Sequence, residues 1–280
     1  MIAAAILSAA ASAFAVNLPE IALPVRNGTL RIAVAGDTGS GSEAVAKGIA
    51  RVHRATPLDA ILLTGDNFYP CSPRSVDDER WSLVRPLVAV GPPLFPVLGN
   101  HDHCGGGPEP QLRWPHWRLP ARQYALRSPL ADFAMLDTTP YVFGQSAEAE
   151  DAVRATFARS ASRWRIVVGH HPILSSGWHG YFPRDQVRRM RAITPLLEAS
   201  RVDYYVCGHD HHLELVRGKP MYLVSGAGSD PIPPLLLRRQ TIFPGEVRRE
   251  RIGFAIMEIT REAIRVRFYD GNGNPRSEWF

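Results

Sequence analysis

The amino-acid sequence predicts an α/β fold, a four-layer α/β/β/α sandwich in which two packed mixed sheets are flanked by helices. Strand-like apolar runs alternate with amphipathic helical segments between residues 30 and 207, and the tail from Tyr222 onward reads as strands separated by Gly- and Pro-rich turns. Five of the apolar runs end in a Gly that is followed at once by Asp, Asn or His. With 280 residues, the chain is long enough to bury a large core.

Strands and helices alternate in the first half of the chain. We predict strands over residues 30–35, 60–64 and 94–98, and helices over residues 43–54 and 77–88. Ser42 stands where the first helix needs an N-cap, and acidic residues occupy the first turn of the second helix. The stretch from Cys104 to Pro120 is rich in Gly, Pro and Trp, which indicates a loop.

The second half repeats this alternation after an antiparallel pair of strands. We predict that pair over residues 124–127 and 133–136, helices over 148–159 and 185–199, and strands over 165–168 and 204–207. The sequence shows no domain boundary, so residues 16–280 are expected to form a single domain.

The first 15 residues are Ala-rich and uncharged, and Ala13-Phe14-Ala15 resembles a signal-peptidase site. We therefore expect an exported, periplasmic or extracellular protein, although the basic segment of a signal peptide is missing; the alternative is the frayed or helical terminus of a cytoplasmic protein. No later segment is a transmembrane candidate. The net charge of +5 favours anionic ligands, but the Arg clusters lack the interleaved aromatic residues of nucleic-acid-binding proteins.

Three cysteines are too few for a disulfide framework. Cys71 and Cys104 each follow one of the Gly-Asp or Gly-Asn loops by a few residues, so folding can bring them together. We hypothesise that they form a disulfide, which would suit an exported protein. Cys207 lies in an apolar run and is expected to be an inert buried residue.

The loops that end the five apolar runs carry metal-binding residue types. They are Gly36-Asp37-Thr38-Gly39, Gly65-Asp66-Asn67-Phe68-Tyr69, Gly99-Asn100-His101-Asp102, Gly169-His170-His171-Pro172 and Gly208-His209-Asp210-His211. Ligands of open α/β sheets bind outside the carboxyl ends of the strands, so these loops are expected to converge on one crevice.

The side chains in these loops include more donors than one metal ion needs. Two carboxylates, a phenol, an amide oxygen and three imidazoles are supplied by Asp37, Asp66, Tyr69, Asn100, His170, His209 and His211. A tetrahedral zinc takes four ligands, whereas two ions roughly 3.5–4 Å apart can share a bridge and clamp a phosphoryl group. Oxygen and nitrogen donors without thiolate suit iron, manganese or zinc better than copper.

The ordered set of loops resembles the calcineurin-like metallophosphoesterase superfamily, and within it the small purple acid phosphatases of the tartrate-resistant type. That family's motifs are Gly-Asp-x-Gly, Gly-Asp-x-x-Tyr, Gly-Asn-His-Asp, Gly-His-x-Pro and Gly-His-x-His, and all five occur here in that order. The likeness extends to Arg113-Trp114, to Met135-Leu136-Asp137-Thr138 and to Ser225-Gly226-Ala227-Gly228. The tyrosine of the second loop points to the purple subgroup.

The resemblance implies a role for each of the seven donors. Asp37, Tyr69 and His211 would hold a ferric ion, and Asn100, His170 and His209 would hold ferrous iron, zinc or manganese. Asp66 would bridge the two ions. Hard anionic phenolate and carboxylate donors favour Fe(III), which agrees with this division.

The resemblance further implies a phosphatase that hydrolyses phosphate monoesters by attack of a metal-bound hydroxide. His101 and His179 correspond to a pair of histidines that contact the phosphate and protonate the leaving group. Asp102 and Asp210 are expected to orient neighbouring histidines. The chain between Asp137 and Arg163 is too short for the protease-sensitive loop of the animal enzymes, so an open site is expected.

Two other functions are compatible with the sequence. One is a phosphodiesterase or nucleotide-directed enzyme of the same superfamily. The other is a non-catalytic iron- or phosphate-binding protein that keeps the site but turns over slowly. In each case the expected ligand is a small phosphate compound.

Overall fold

The computed structural model describes residues 17–181, 185–234, 236–243 and 251–279. The strands of this part of the chain are β1 (Glu20–Ala22), β2 (Leu30–Ala35), β3 (Ala60–Leu63), β4 (Leu94–Pro96), β5 (Tyr124–Arg127), β6 (Ala131–Met135), β7 (Trp164–Val168), β8 (Tyr204–Cys207), β9 (Leu213–Val216), β10 (Met221–Ser225), β11 (Thr241–Phe243), β12 (Gly253–Ile259), β13 (Ile264–Asp270) and β14 (Pro275–Trp279). The helices are α1 (Glu43–Ala55), α2 (Arg85–Val88), α3 (Glu109–Arg113), α4 (Thr139–Val142), α5 (Ala147–Ala158), α6 (Trp178–Tyr181), α7 (Asp185–Arg191) and α8 (Thr194–Ala199). Short 3₁₀ helices cover Glu79–Leu83 and Asn100–His103.

The strands form two mixed sheets, as the sequence predicts. One sheet has the order β1-β5-β6-β7-β8-β10-β9-β11, and the other has the order β14-β13-β12-β2-β3-β4. In the second sheet β2, β3 and β4 are parallel neighbours, while β12, β13 and β14 add antiparallel strands at its other edge. In the first sheet β6, β7, β8 and β10 run parallel.

Alternating residues of the central strands face two different apolar layers. On β7, Ile166 and Val168 belong to the larger core shared with the second sheet, whereas Val167 belongs to a smaller cluster with side chains of α5 and α8. Successive side chains of a strand point to opposite faces, so β7 is covered by a sheet on one face and by helices on the other. Helix α1 packs on β12 and β13 of the second sheet. This arrangement is the predicted four-layer sandwich.

All five loops with metal-binding residue types leave the carboxyl ends of parallel strands. The first three follow β2, β3 and β4, and the last two follow β7 and β8. Because the parallel neighbours end at the same sheet edge, the loops of each sheet lie side by side. The fold therefore delivers three loops from one sheet and two from the other.

Two predicted helices are wrong in their extent, and proline explains both. The helix predicted over residues 185–199 is two helices, because α7 ends at Arg191 and α8 begins at Thr194 with Pro195 in its first turn. The helix predicted over residues 77–88 is a 3₁₀ turn followed by α2, which has Pro86 in its first turn. Proline has no backbone N–H and favours the start of a helix over its interior.

Two smaller predictions also differ from the structure. Ser42 does not cap α1 with its side chain; its Oγ donates instead to the carbonyl oxygen of Leu83 at 2.5 Å. The predicted loop from Cys104 to Pro120 contains the short helix α3, whose first turn accommodates Pro110. The Pro and Gly residues correctly predict an irregular stretch, but the stretch also contains a short helix.

Cys71 and Cys104 form a disulfide, which confirms the hypothesised pair, and Cys207 is a free, buried cysteine. The disulfide joins the chain just after the second loop to the chain just after the third. An isolated β-bridge between Ser72 and Gly105 runs beside it. The proposed signal segment, residues 1–15, lies outside the described residues. Among the residues that are described, no helix has the length and apolar character needed to cross a bilayer.

Candidate metal centre

Three residues of the loops have left-handed backbone conformations. Asp37, Asp66 and His209 have φ values of +56°, +50° and +66°, and each directly follows a glycine at the end of a strand. Side chains other than glycine rarely adopt this conformation, and such strain concentrates at functional sites. After this sharp turn each of the three side chains contacts another strand-end loop: Asp37 approaches His211, and Asp66 and His209 approach His170.

Close packing of the loops explains the glycines that precede them. A Cβ atom on Gly99 would lie 2.2 Å from Oδ1 of Asp66, and a Cβ atom on Gly208 would lie 2.3 Å from Oδ2 of Asp37. Both distances are far below van der Waals contact. Gly99 and Gly208 are thus required because the third and fifth loops each pack against the carboxylate of another loop.

The first group of donor atoms surrounds the phenol oxygen of Tyr69. This oxygen lies 3.1 Å from Oδ1 of Asp37, 3.1 Å from Oδ2 of Asp66 and 3.0 Å from Nε2 of His211. The other ring nitrogen of His211 lies 2.8 Å from the carbonyl oxygen of Asp230, to which it donates its hydrogen. In the neutral ring, Nε2 of His211 therefore carries a lone pair that faces Tyr69.

The second group of donor atoms surrounds Nε2 of His170. This nitrogen lies 3.0 Å from Nδ1 of His209, 3.1 Å from Oδ1 of Asn100 and 3.4 Å from Oδ1 of Asp66. Nδ1 of His170 donates to the carbonyl oxygen of Thr64 at 2.9 Å. That bond leaves Nε2 as the coordinating nitrogen, and a carbonyl partner on the other ring nitrogen is usual for metal-bound histidine.

Asp66 contributes one carboxylate oxygen to each group. Its Oδ2 faces Tyr69 in the first group, and its Oδ1 faces His170 in the second. The backbone N–H of His101 also donates to Oδ1 at 3.0 Å, which fixes the orientation of the carboxylate. The structure thus brings all seven predicted donors together as two adjoining groups that share one residue.

These groups contain more lone pairs than hydrogens, which is the arrangement that cations satisfy. The phenol of Tyr69 has a single hydrogen for three acceptor atoms around it. Burial and the two neighbouring carboxylates raise the pKa of Tyr69 far above its ordinary value. Burial also raises the pKa of Asp37, to about 6. Oxygen and imidazole donors without thiolate fit iron, manganese or zinc, so the residues present fit a pair of such ions.

The carboxylates around His170 change its pKa. Burial lowers the pKa of this imidazole, but the carboxylate of Asp66 outweighs burial and raises the pKa to about 9. In Asp66 itself the same pairing holds the pKa below its usual range despite burial. The two side chains therefore form a strongly coupled pair at the point where the donor atoms of the second group converge.

His101 lies at the edge of the first group. Its ring packs edge-on against the ring of Tyr69 with the centroids 4.8 Å apart, and its Nδ1 donates to the carbonyl oxygen of Pro70 at 2.7 Å. This bond fixes the proton of the neutral ring on Nδ1. Nε2 therefore carries the lone pair of the neutral ring.

His179 lies at the edge of the second group. Its ring centroid is 4.0 Å from that of His209, and 39% of its side chain is exposed. Its Nδ1 lies 3.2 Å from Oδ1 of Asp210, which also accepts the backbone N–H of His179 at 2.8 Å. The predicted orienting role of Asp210 agrees with these contacts. Burial raises the pKa of Asp210, but the bond from His179 and its other partners outweigh burial, so the pKa lies below its ordinary range.

Asp102 does not orient a histidine, so that prediction is wrong. Its buried carboxylate accepts hydrogen bonds from the backbone of Asn67 and Gly99 and from the side chains of Asn67 and Gln111. Burial and the charge of Asp66 raise its pKa to about 7. Asp102 instead joins the second loop to the third, because its partners lie on both loops.

Thr138 is a site residue to which sequence reasoning assigned no role. Its Oγ1 accepts the backbone N–H groups of His170 and His171, so its own hydrogen is donated to Nδ1 of His171 at 2.9 Å. His171 is buried, and burial together with the charge of His209 lowers its pKa well below the ordinary value. The neutral ring therefore carries its proton on Nε2. Only the Asp-Thr that follows β6 hints at this role in the sequence.

The remaining histidines near the loops pair with carboxylates away from the two groups. His103 lies 2.9 Å from Asp137, and His212 lies 3.1 Å from the buried Glu214. Asp137 accepts the backbone N–H of Thr139 as well. These pairs hold the loops through residues outside the two donor groups.

Comparison with known proteins decides the family. Residues 30–213 match the family described as Calcineurin-like phosphoesterase, which covers all five loops. The chain belongs to the calcineurin-like phosphoesterase family. It is accordingly a metal-dependent phosphoric ester hydrolase; the family and its acid phosphatase members imply a dinuclear metal centre, for which the structure offers candidate ligands.

Sequence relatives of this calcineurin-like phosphoesterase are named acid phosphatases. Purple acid phosphatase 4 of Arabidopsis thaliana is 28% identical over 299 residues, which cover 91% of this chain and 84% of the plant protein. Tartrate-resistant acid phosphatase type 5 of Sus scrofa is 28% identical over 270 residues, which cover 81% and 77% of the two chains. These likenesses agree with the subgroup indicated by Tyr69.

Solved structures share the fold at lower identity. GAP50, described as the anchor in the inner membrane complex of Plasmodium, has a TM-score of 0.73 at 23% identity over 90% of this chain and 88% of its own. A purple acid phosphatase from yellow lupin seeds has a TM-score of 0.68 at 15% identity over 91% of this chain and 54% of its own. At these identities the structures establish the fold of the chain and nothing further.

Proposed function

We propose that this phosphatase hydrolyses phosphate monoesters with an iron-containing dinuclear centre of the purple acid phosphatase type. The observation that carries the proposal is Asp66, whose two oxygens face two separate groups of donor atoms. A carboxylate placed in this way is suited to bridge two ions. The acid phosphatase relatives support the same reading.

The geometry supports the following assignment of ligands. Asp37, Tyr69 and His211 would hold a ferric ion, and Asn100, His170 and His209 would hold Fe(II), Zn or Mn, with Asp66 between the two. The phenol and carboxylate of the first group are hard anionic donors, whereas the second group supplies neutral donors around the shared carboxylate. When bound, the two ions would polarise the phosphate oxygens and lower the pKa of the attacking water.

His101 and His179 are proposed to handle the phosphate and the proton of the leaving group. Each ring has one nitrogen held by the protein, by the carbonyl of Pro70 in His101 and by Asp210 in His179. The other nitrogen of each ring can therefore donate to a phosphate oxygen or to the leaving oxygen. A protonated imidazole that reaches the leaving oxygen can act as a general acid.

We further propose that the protein is exported. The disulfide between Cys71 and Cys104 supports this location, because disulfides persist mainly in oxidising compartments. The first 15 residues, with their small-residue cleavage pattern, would serve as the signal segment. Fractionation of cells that produce the full chain, followed by N-terminal sequencing of the product, tests both points.

Comparison of a monoester with its diester tests the proposed reaction. We expect the metal-loaded protein to hydrolyse p-nitrophenyl phosphate with a higher kcat/KM than bis(p-nitrophenyl) phosphate at mildly acidic pH. Asp66→Ala should abolish hydrolysis of both compounds. Preference for the diester would instead establish a phosphodiesterase, and two bound metals without hydrolysis of either ester would establish a non-catalytic binding protein.

A further inference from the structure

Exposed apolar side chains concentrate beside the candidate metal centre. The described residues expose six large apolar side chains, and four of them lie in two segments that adjoin the centre: Trp178, Ile232, Leu236 and Leu237, which are 45%, 58%, 55% and 47% exposed. We call these four residues the apolar rim. Scattered single apolar residues are ordinary on a protein surface, but a local concentration of them marks a binding surface.

The first segment comprises residues 232 and 236–238, and its first residue is hydrogen-bonded to His211 of the first donor group. The backbone N–H of Ile232 donates to the carbonyl oxygen of His211 at 2.7 Å, and the ring of His211 donates to the carbonyl oxygen of Asp230 at 2.8 Å. The exposed side chain of Ile232 therefore belongs to a residue that is bonded directly to a member of the centre. This end of the rim is fixed by backbone contacts.

The same segment ends at the loop that carries His179. The backbone N–H of Arg238 donates to Oγ of Ser176 at 3.0 Å, and its guanidinium donates to the carbonyl oxygens of Ser175 and Gly180. Trp178 lies within this loop, directly before His179. This segment therefore contacts His211 of the first donor group at one end and the loop that carries His179, beside the second donor group, at the other.

This placement indicates what the rim contacts during the reaction. The phosphate must lie at the donor groups, so the ester group of a substrate extends away from them, past the residues at their edge. We propose that the apolar rim binds this ester group and that the preferred monoesters carry an aryl or arylalkyl group. The inference rests on the proposed phosphatase function and adds a substrate class to it. Trp178 favours an aromatic ring, because aromatic pairs gain from stacking as well as from burial.

Two esters with similar leaving groups test the inference. The alcohols of 2-phenylethyl phosphate and 2-hydroxyethyl phosphate are similarly poor leaving groups, so leaving-group chemistry affects both equally. We expect kcat/KM to be on the order of 10-fold higher for 2-phenylethyl phosphate, the size of effect that an apolar contact gives. Trp178→Ala and Ile232→Ser should each reduce this ratio.

Phe143 offers a matched control. Its side chain is 62% exposed, and it lies outside both rim segments, so Phe143→Ser should leave the ratio unchanged. A ratio near one in the unmodified protein, or a ratio that Phe143→Ser lowers as much as Trp178→Ala does, would overturn the inference. If the rim covers a second copy of the chain instead, the rim variants will change the oligomeric state in solution and leave the ratio intact.

A binding measurement separates this inference from the proposed function. 2-Phenylethylphosphonate and 2-hydroxyethylphosphonate cannot be hydrolysed at the phosphorus–carbon bond, and calorimetry gives their Kd values with the metal-loaded protein. Tighter binding of the phenyl compound that is lost in Trp178→Ala supports the rim even if neither ester is hydrolysed. Equal binding of the two phosphonates, together with hydrolysis of both esters, contradicts the rim and leaves the phosphatase function standing.

Discussion

The phenol oxygen of Tyr69 lies 3.0 Å from Nε2 of His211, which follows it by 142 residues in the chain. The first residue ends the loop after β3, and the second belongs to the loop after β8, so the contact spans the two sheets. Nε2 of His211 is one of three acceptor atoms around this phenol, which has a single hydrogen. If the first group holds a ferric ion, as proposed, the phenolate of Tyr69 would be one of its ligands, and ferric phenolate absorbs visible light.

Tyr69→Phe should therefore remove the visible colour of the iron-loaded protein. The variant lacks the phenolate oxygen but keeps the ring that packs against His101, so the fold should be unchanged. Absorption spectra of matched samples, normalised to measured iron content, provide the test. Tyr141→Phe is a suitable control, because that buried ring lies in the helical layer and its hydroxyl faces Glu150. An undiminished band in Tyr69→Phe would rule out phenolate coordination.

Asp66→Ala should lose both metal ions, because its two oxygens face both groups of donor atoms. Elemental analysis after purification should find close to no metal per chain, and activity should fall at least ~10³-fold because metal and nucleophile are lost together. Asp151→Asn removes a carboxylate that pairs with Arg154 on the exposed face of α5 and should keep full metal content. Retention of two ions by Asp66→Ala would refute a bridging role.

His101→Ala should retain the metals and lose turnover selectively. A general acid matters most when the leaving group is a poor one, so we expect a loss of about 10²–10⁴-fold with alkyl phosphates and a much smaller loss with p-nitrophenyl phosphate. The measurement is kcat across a series of esters of increasing leaving-group basicity. Equal losses across the series would argue that His101 does not protonate the leaving group.

The disulfide should act on turnover through His101. It joins Cys71 to Cys104, three residues after His101. Cys71 directly follows Pro70, whose carbonyl oxygen accepts the hydrogen bond from Nδ1 of His101, so the disulfide secures that bond. Cys71→Ser/Cys104→Ser should lower kcat with alkyl phosphates by about 10-fold, the usual range for a lost supporting contact. In a His101→Ala background the same pair of substitutions should have little further effect. A double-mutant cycle measures this difference.

Two controls make that cycle interpretable. Cys207→Ala removes the buried free cysteine at the end of β8, and it reports the cost of losing a cysteine that is outside the disulfide. Thermal unfolding of every variant shows whether the fold survives, and Cys71→Ala/Cys104→Val replaces the pair by apolar packing if the serine variant does not. Fully additive losses would mean that the disulfide stabilises the fold without positioning His101.

Metal uptake by the metal-free protein should be coupled to proton release. The raised pKa of His170, about 9, means that this ligand is protonated at neutral pH, and the proton must leave before Nε2 can bind a metal. Affinity for Zn²⁺ at the group around His170 should therefore weaken by ~10-fold for each unit that the pH falls below about 9. Calorimetry in buffers of different ionisation enthalpy counts the protons. A pH-independent affinity between pH 7 and pH 9 would contradict this account.

The convergence of the five loops could be predicted from the sequence for a physical reason. Each loop combines an apolar strand with a Gly and a polar ligand, and these local features coincide in space once parallel strands pair. Residues two positions apart share one face of an extended strand, so the division of His209 and His211 between the two groups depends on the turn of the fifth loop, where His209 has a φ of +66°. This turn places His209 beside His170 and His211 beside Tyr69.

Other features could not be predicted, because they depend on the approach of distant segments. Ser42 has the residue type of an N-cap, yet a long-range contact with Leu83 takes its hydroxyl. Asp102 follows a histidine in sequence, but the turn of the third loop directs its carboxylate to Asn67 and Gln111 instead. Thr138 acts on a loop that begins more than 30 residues later, so no local pattern reveals its role.

The shared carboxylate of Asp66 has a consequence for how the centre fills. One side chain cannot accept an ion on one oxygen without changing the charge and the orientation that the other oxygen offers, so the two positions have no independent affinities. By linkage, occupation of either position changes the affinity of the other by the same factor. A metal titration will therefore report two macroscopic constants of the pair, and a half-filled protein is a distinct chemical species with its own preference for the next ion.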